Sequence, residues 1–349
     1  MPAARPITRP DRANPLSWQA ELAQGFRDPA ELLAALGLTA AECGLAPAAM
    51  AADGTAAFPL RVPRGFVARM RPQDPRDPLL LQVLPSPAET LPASGFVADP
   101  VGDLASARTP GLLQKYAGRA LLITTGACAI HCRYCFRREY PYAEQSAAAG
   151  HLNSALKVIA ADPSLEEIIL SGGDPLVLGE RRLEDLLEAL DSLPHVQRIR
   201  LHSRVPVVLP ERVDKRLLAV LGRLRARVIV VIHANHAQEL DAPVVTTLQE
   251  LAAVTGPILN QSVLLRGIND SAEALVALSR ALFAAGVMPY YLHQLDPVAG
   301  AAHFAVTDES ALALMTAVMA QLPGYLVPRL VRETAGAASK TPLEYFGTT

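Results

Sequence analysis

Lysine is scarce in this chain: Lys115, Lys157, Lys215 and Lys340 are the only four in 349 residues. Chemistry that needs a free amine has four candidates. Neither sign of charge prevails, with Lys+Arg 32 against Asp+Glu 34 and a formal net charge of −2. No field gathers a polyanion, so nucleic acid is not the expected partner. No apolar run reaches the roughly 18 residues of a membrane span, which argues against a membrane partner. Met1 to Pro15 is broken by prolines and arginines and has no apolar leader core, which points to a cytoplasmic protein. Cysteine is sparse too: Cys43 stands alone, while Cys128, Cys132 and Cys135 crowd together. In a reducing compartment such a cluster reads as metal ligands before it reads as disulfides.

What is abundant is apolar side chain. Half the residues are hydrophobic and 19% are charged, enough for a large core, and this excludes a disordered or fibrous chain. The length suits one large domain with appendages, or two domains. Residues 1–105 read as an accessory segment. Trp18, Leu22, Phe26, Leu32, Leu33 and Leu36 follow a helical pattern, and Asp28-Pro29 starts a second helix. From Phe58 to Pro100 prolines recur too often for long helices, and short strands and turns are expected.

From Arg119 apolar runs alternate with amphipathic stretches. The runs are 120–124, 167–171, 198–202, 228–233, 258–263 and 288–293; the helical stretches lie near 144–161, 181–192, 211–224, 242–254 and 271–285. Near-continuous apolar strands separated by helices predict an α/β fold with parallel strands covered on the outside. The expected architecture is an open, partial (β/α)6 barrel over 106–323, followed by a short segment, 324–349; a doubly wound sheet is the alternative. Each run ends in polar residues, among them Ser171-Gly172-Gly173-Asp174, His202-Ser203-Arg204, His233, Asn260-Gln261-Ser262 and His293-Gln294. Carboxyl ends of barrel strands converge on one face, so these ends predict a single polar site.

Cys128-x3-Cys132-x2-Cys135 follows the first barrel run directly. Three thiolates on a short loop can hold three irons of a [4Fe–4S] cluster and leave the fourth open for a ligand. Zinc is the alternative, but it wants a fourth protein ligand.

This spacing, with Tyr134 before the last cysteine, resembles the signature of radical S-adenosylmethionine (SAM) enzymes, and Ser171-Gly172-Gly173-Asp174-Pro175 looks like their glycine-rich segment. Further stretches are similar to the lysine 2,3-aminomutase family. They are Cys135-Phe136-Arg137-Arg138, His233-Ala234-Asn235-His236, the run Asn260 to Asp270, and Pro289 to Asp296. The resemblance spans about Pro110 to Pro342. It implies a [4Fe–4S] cluster on Cys128, Cys132 and Cys135, with SAM received by Gly172, Gly173 and Asp174 and its pocket lined by His233 and Gln261. It also implies pyridoxal phosphate (PLP) on a Schiff-base lysine. Lys157 and Lys215 fall in amphipathic helices and Lys115 precedes the first strand, away from the expected site. Lys340, in a small-residue loop before Thr341-Pro342, matches the family's PLP lysine. Arg137 matches its reader of the substrate carboxylate, and Asp296 and Glu333 match the acids that receive the side-chain amine of lysine. Glu333 stands where the longer enzymes carry aspartate.

The implied activity is an isomerase reaction, L-lysine to β-lysine, driven by an electron donor such as flavodoxin or ferredoxin. The chain ends nine residues after Lys340. Its short end resembles the branch that supplies β-lysine for modification of elongation factor P through a partner ligase. Rival readings are the same chemistry on another amino acid, a radical SAM enzyme without PLP, and an Fe–S or zinc binding module.

Overall fold

The computed structural model describes residues 17–45, 58–147 and 150–343; the leader reading of Met1 to Pro15 falls outside them. The centre is one sheet of ten strands whose spatial order follows the chain. Its members are β1 (Ala107–Thr109), β2 (Leu112–Tyr116), β3 (Arg119–Thr125), β4 (Glu167–Gly172) and β5 (Arg198–Ser203), then β6 (Arg227–Ile232), β7 (Ile258–Val263), β8 (Val287–His293), β9 (Arg329–Arg332) and β10 (Thr341–Pro342). Each pair from β3 to β9 is parallel, while β1, β2 and β10 add antiparallel edges.

All six expected runs are strands, and the sequential order removes the doubly wound alternative, which requires a reversal in strand order. The expectation of six parallel strands is one short. β9, a four-residue strand with an arginine at each end, continues the parallel series. It has too few apolar residues to stand out in sequence.

Buried strands drive this assembly. Every residue of β4 is buried. The helix Glu180–Asp191 turns Leu183, Leu186, Leu187 and Leu190 inward, a spacing of three and four residues that makes one apolar stripe. Side-chain caps fix the helix starts: Asp214 accepts from the Leu217 amide, Asp241 from Val244 and Ser271 from Ala274. Such caps satisfy amides that the helix itself leaves open.

The helices Trp18–Ala23 and Pro29–Ala35 form where expected, with Asp28 capping the second. The stretch Phe58 to Pro100 differs from expectation. It is turns with one-turn helices, and its extended pairing is limited to bridges of Val62 with Phe26 and Val97 with Val298. Leu32, Phe66, Leu79 and Leu80 join the same buried cluster as Ile168 and Val230 of the sheet.

Candidate functional site

The carboxyl ends of the parallel strands open into a cavity of about 550 Å³. Its wall carries every residue singled out from sequence: Cys128, Cys132 and Cys135; Arg137; Gly172, Gly173 and Asp174; His233 and Gln261; Asp296, Glu333 and Lys340.

The cysteines occupy the loop after β3. Among the described residues no three His, Cys, Asp or Glu side chains converge tightly enough for a single ion. A cube of irons and sulfides accepts a wider set of thiolates. Burial raises the Cys128 thiol, and Cys135 adds to the rise. Cys135 is pushed up to about 11 by burial and then by Cys132. Bound cations would remove that opposition to thiolate formation.

The glycine-rich turn is packed against this loop. Gly173 N donates to Thr125 O at 2.6 Å and Asp174 N to Ala127 O at 2.8 Å. Gly172 has φ +124°, a conformation other residues rarely adopt, and a Cβ on Gly173 would overlap the Ala127 carbonyl. Gly173→Ala is therefore expected to push the cysteine loop out of place at a cost of roughly 1–3 kcal/mol. Iron bound per chain after reconstitution should fall; wild-type iron content would show that the loop can yield. The Asp174 carboxylate is consumed internally. It accepts from Ser203 Oγ (2.7 Å) and from the amides of Leu176, Arg204 and Val205. What this segment offers a ligand is backbone held in place, not a free carboxylate.

Three histidines, His202, His233 and His293, line the same wall; His293 is buried and the other two half-buried, and each has an Nε2 shut off from solvent without a hydrogen-bond partner in the protein. Burial drives His233 down to about 4, so it is a neutral ring near neutral pH. Unpaired buried nitrogens are costly and mark where a ligand would supply the missing bond.

At the far end, the antiparallel hairpin of β9 and β10 pairs Arg332 with Thr341 and brings Glu333 and Lys340 together. Lys340 Nζ lies 2.7 Å from Glu333 Oε2. Tyr116 Oη donates to Glu333 Oε1 at 2.7 Å. Lys115 is the main surprise. Its expected place away from the site is wrong, because β2 folds back beside β3 and carries Lys115 Nζ to 3.6 Å from Glu333 and 2.8 Å from Asp103. Asp103 in turn holds Arg137 Nε at 2.7 Å, and Arg137 Nη1 reaches Ser171 Oγ at 3.1 Å. Arg137, Asp103, Lys115, Glu333 and Lys340 thus form a chain of alternating charge. Nothing in the sequence around Asp103 signals this role, since it arises only when the accessory segment folds over the sheet. Burial opposes the Glu333 charge, yet Lys340 holds its carboxyl below the ordinary range.

Arg119, Arg200 and Arg329 also line the cavity, and the Nε atoms of Arg119 and Arg200 are buried without a partner. These cations, in the same cavity as Lys340, suit a phosphate on an aldehyde cofactor. They were not foreseen, although the alternation of Arg198, Arg200 and His202 along β5 carries a signal, with intermediate burial between buried neighbours. Tyr290 and Tyr291, with ring centroids 3.8 Å apart, stand nearby, and Lys340 Nζ sits 5.8 Å from the Tyr291 ring centre.

No family model matches the sequence. Among curated proteins, the L-lysine 2,3-aminomutase of Escherichia coli (strain K12) is 47% identical over 327 residues, covering 94% of each chain. That of Haemophilus influenzae is 41% identical over 93% of this chain and 95% of its own length. The Clostridium subterminale enzyme is 33% identical over 80% of this chain and 67% of its own. A solved radical SAM methyltransferase from Sphaerobacter thermophilus overlays with TM-score 0.43 at 17% identity, covering 63% of this chain and 68% of that one, too loose a likeness to carry an argument. Near-complete overlap at this identity places the protein: the chain belongs to the lysine 2,3-aminomutase family of isomerases.

Proposed function

We propose that this protein converts L-lysine to β-lysine by moving the amino group from the α to the β carbon. The reading uses a [4Fe–4S] cluster on Cys128, Cys132 and Cys135, SAM on its open iron, and PLP carried by Lys340. One observation supports it above the rest: three thiols and a lysine amine face a single cavity into which several unpartnered buried atoms also fall, among them Nε2 of His202, His233 and His293 and Oδ1 of Asp296. When bound, these groups supply a hydrogen-abstracting radical and an electron-delocalising carbonyl.

The chain's own residues bind and orient. Glu333 holds Lys340 Nζ in place within the cavity, and once that nitrogen has shed its proton it can attack a carbonyl. Once Lys340 is displaced, the same carboxylate can pair with the distal ammonium of lysine. Arg137, aimed by Asp103 and Ser171, presents a guanidinium to the substrate carboxylate. Apolar wall residues such as Leu113, Leu121 and Ile169 help to keep water away from reactive carbon.

Asp296 is half-buried, and its Oδ1 is shut off from solvent with no hydrogen-bond partner. Burial pushes its carboxyl up to about 7; Lys340 opposes the rise and Glu333 adds to it. Below that pH the group is neutral and offers a lysine ammonium nothing; above it the charge is present. Lysine affinity measured by calorimetry is therefore expected to strengthen about tenfold per pH unit on the acidic side and level off above neutrality. Asp296→Ala should flatten the profile and weaken binding about 30-fold or more, as loss of a buried charge pair does. Unchanged competition by norleucine against lysine in that variant would refute the assignment.

The best single test is anaerobic reconstitution with iron, sulfide, PLP and SAM, followed by lysine and chromatography of the products. β-Lysine supports the proposal; lysine recovered intact from a protein that cleaves SAM defeats it. A basic residue in place of Asp296 would suit an acidic substrate, so its presence favours lysine over glutamate. The link to elongation factor P and its ligase rests on the family branch that the Glu333-to-Lys340 stretch resembles, and a flavodoxin or ferredoxin donor on the electron that the cluster chemistry consumes.

A further inference from the structure

We propose that Arg204 is a positioning residue that holds the Cys132 sulfur and sets the reduction potential of the cluster bound there. The proposal rests on the reading of Cys132 as a cluster ligand. Arg204 follows β5 directly, and its side chain runs beneath the cysteine loop, 5% exposed. Its Nη1 lies 2.7 Å from Cys132 Sγ. Its Nη2 donates to Glu239 Oε2 at 3.0 Å and to Gln82 Oε1 at 2.5 Å. The backbone amide is fixed by Asp174 at 2.8 Å. Nε is buried without a partner, a donor left over beside a site built for an anionic group.

This placement is rigidly supported. Glu239 is fully buried and also accepts from the Asn235 amide at 2.8 Å. Gln82 comes from the accessory segment, and its Oε1 further accepts from Asn235 Nδ2 at 3.0 Å and Tyr134 Oη at 3.2 Å. The Gln82 carbonyl accepts the Arg133 amide within the cysteine loop at 2.9 Å. One role of the accessory segment is therefore to lock the cation against one sulfur of three. A positive donor at a ligating sulfur stabilises the reduced, more negative cluster and raises its potential. That matters where an electron must leave the cluster for a sulfonium: the guanidinium sets how readily the cluster is reduced and how strongly it reduces.

The test compares potentials, not turnover alone. Wild-type protein is reconstituted anaerobically and titrated, with paramagnetic resonance reporting the reduced cluster. Arg204→Lys keeps the charge opposite Glu239 but has one nitrogen where the guanidinium serves several partners. The pair Arg204→Met with Glu239→Gln removes both charges. Both variants are expected to bind iron and to shift to a more negative potential, the double variant by at least a tenfold change in the oxidised-to-reduced ratio, 59 mV for one electron. Wild-type potentials in both variants would overturn the proposal. So would an unmoved potential accompanied by weaker SAM binding in equilibrium dialysis, which would assign the guanidinium to that ligand. Iron missing from the wild-type protein sinks the cluster reading; a sound wild-type cluster with unmoved variants sinks this proposal alone.

Discussion

Lys340→Ala is expected to give protein that loads iron normally yet shows no visible absorption from lysine-bound PLP, with turnover down by roughly 10⁴-fold or more, the scale seen when a covalent nucleophile is removed. The amine sits 2.7 Å from the Glu333 carboxylate and 5.8 Å from the Tyr291 ring centre, in a cavity that also holds unpartnered arginine nitrogens. Lys115 makes the experiment sharper than the sequence alone would. It lines the same cavity and lies 3.6 Å from Glu333, so it is a second amine within the site. Its ion pair with Asp103 at 2.8 Å gives it a different task, and Lys115→Ala should keep the band. A band that survives in the Lys340 variant and vanishes in the Lys115 variant would transfer the cofactor to β2.

Cys132→Ala should abolish iron loading and reductive cleavage of SAM together, with no effect on covalent PLP. Two thiolates cannot hold the cube that three present with one corner open. The loss has a second component, because the buried Arg204 guanidinium would face an empty place where Sγ lay at 2.7 Å. Metal analysis and paramagnetic resonance of anaerobic protein check the expectation. Stoichiometric zinc in the wild type, or a full complement of iron in the variant, would end the cluster assignment.

How much of this was readable in advance follows from how each residue reaches the site. Four of the six strands announce themselves as near-continuous apolar runs, while β5 and β7 alternate buried and half-buried positions. β9 and β10 are short and charged or exposed, so only pairing makes them strands. The cysteine loop, the glycine turn and the Glu333-to-Lys340 stretch are contiguous motifs, and their members remain neighbours after folding. Asp103, Lys115, Gln82 and Glu239 are different. Each is an ordinary polar residue in sequence and becomes part of the site only through contacts that span dozens of residues. Lys115 escapes the sequence reading because it precedes the first barrel strand, whereas in the fold β2 doubles back alongside β3.

The alternating series from Arg137 through Asp103, Lys115 and Glu333 to Lys340 has an evolutionary consequence. Residues sharing ionic partners do not contribute independently, so altering one link changes the worth of every other. Lineages drifting at Asp103 would have to compensate at Arg137 or Lys115 within few steps. Epistasis should thus bind a segment of unassuming composition to the residues proposed to read both ends of the amino acid.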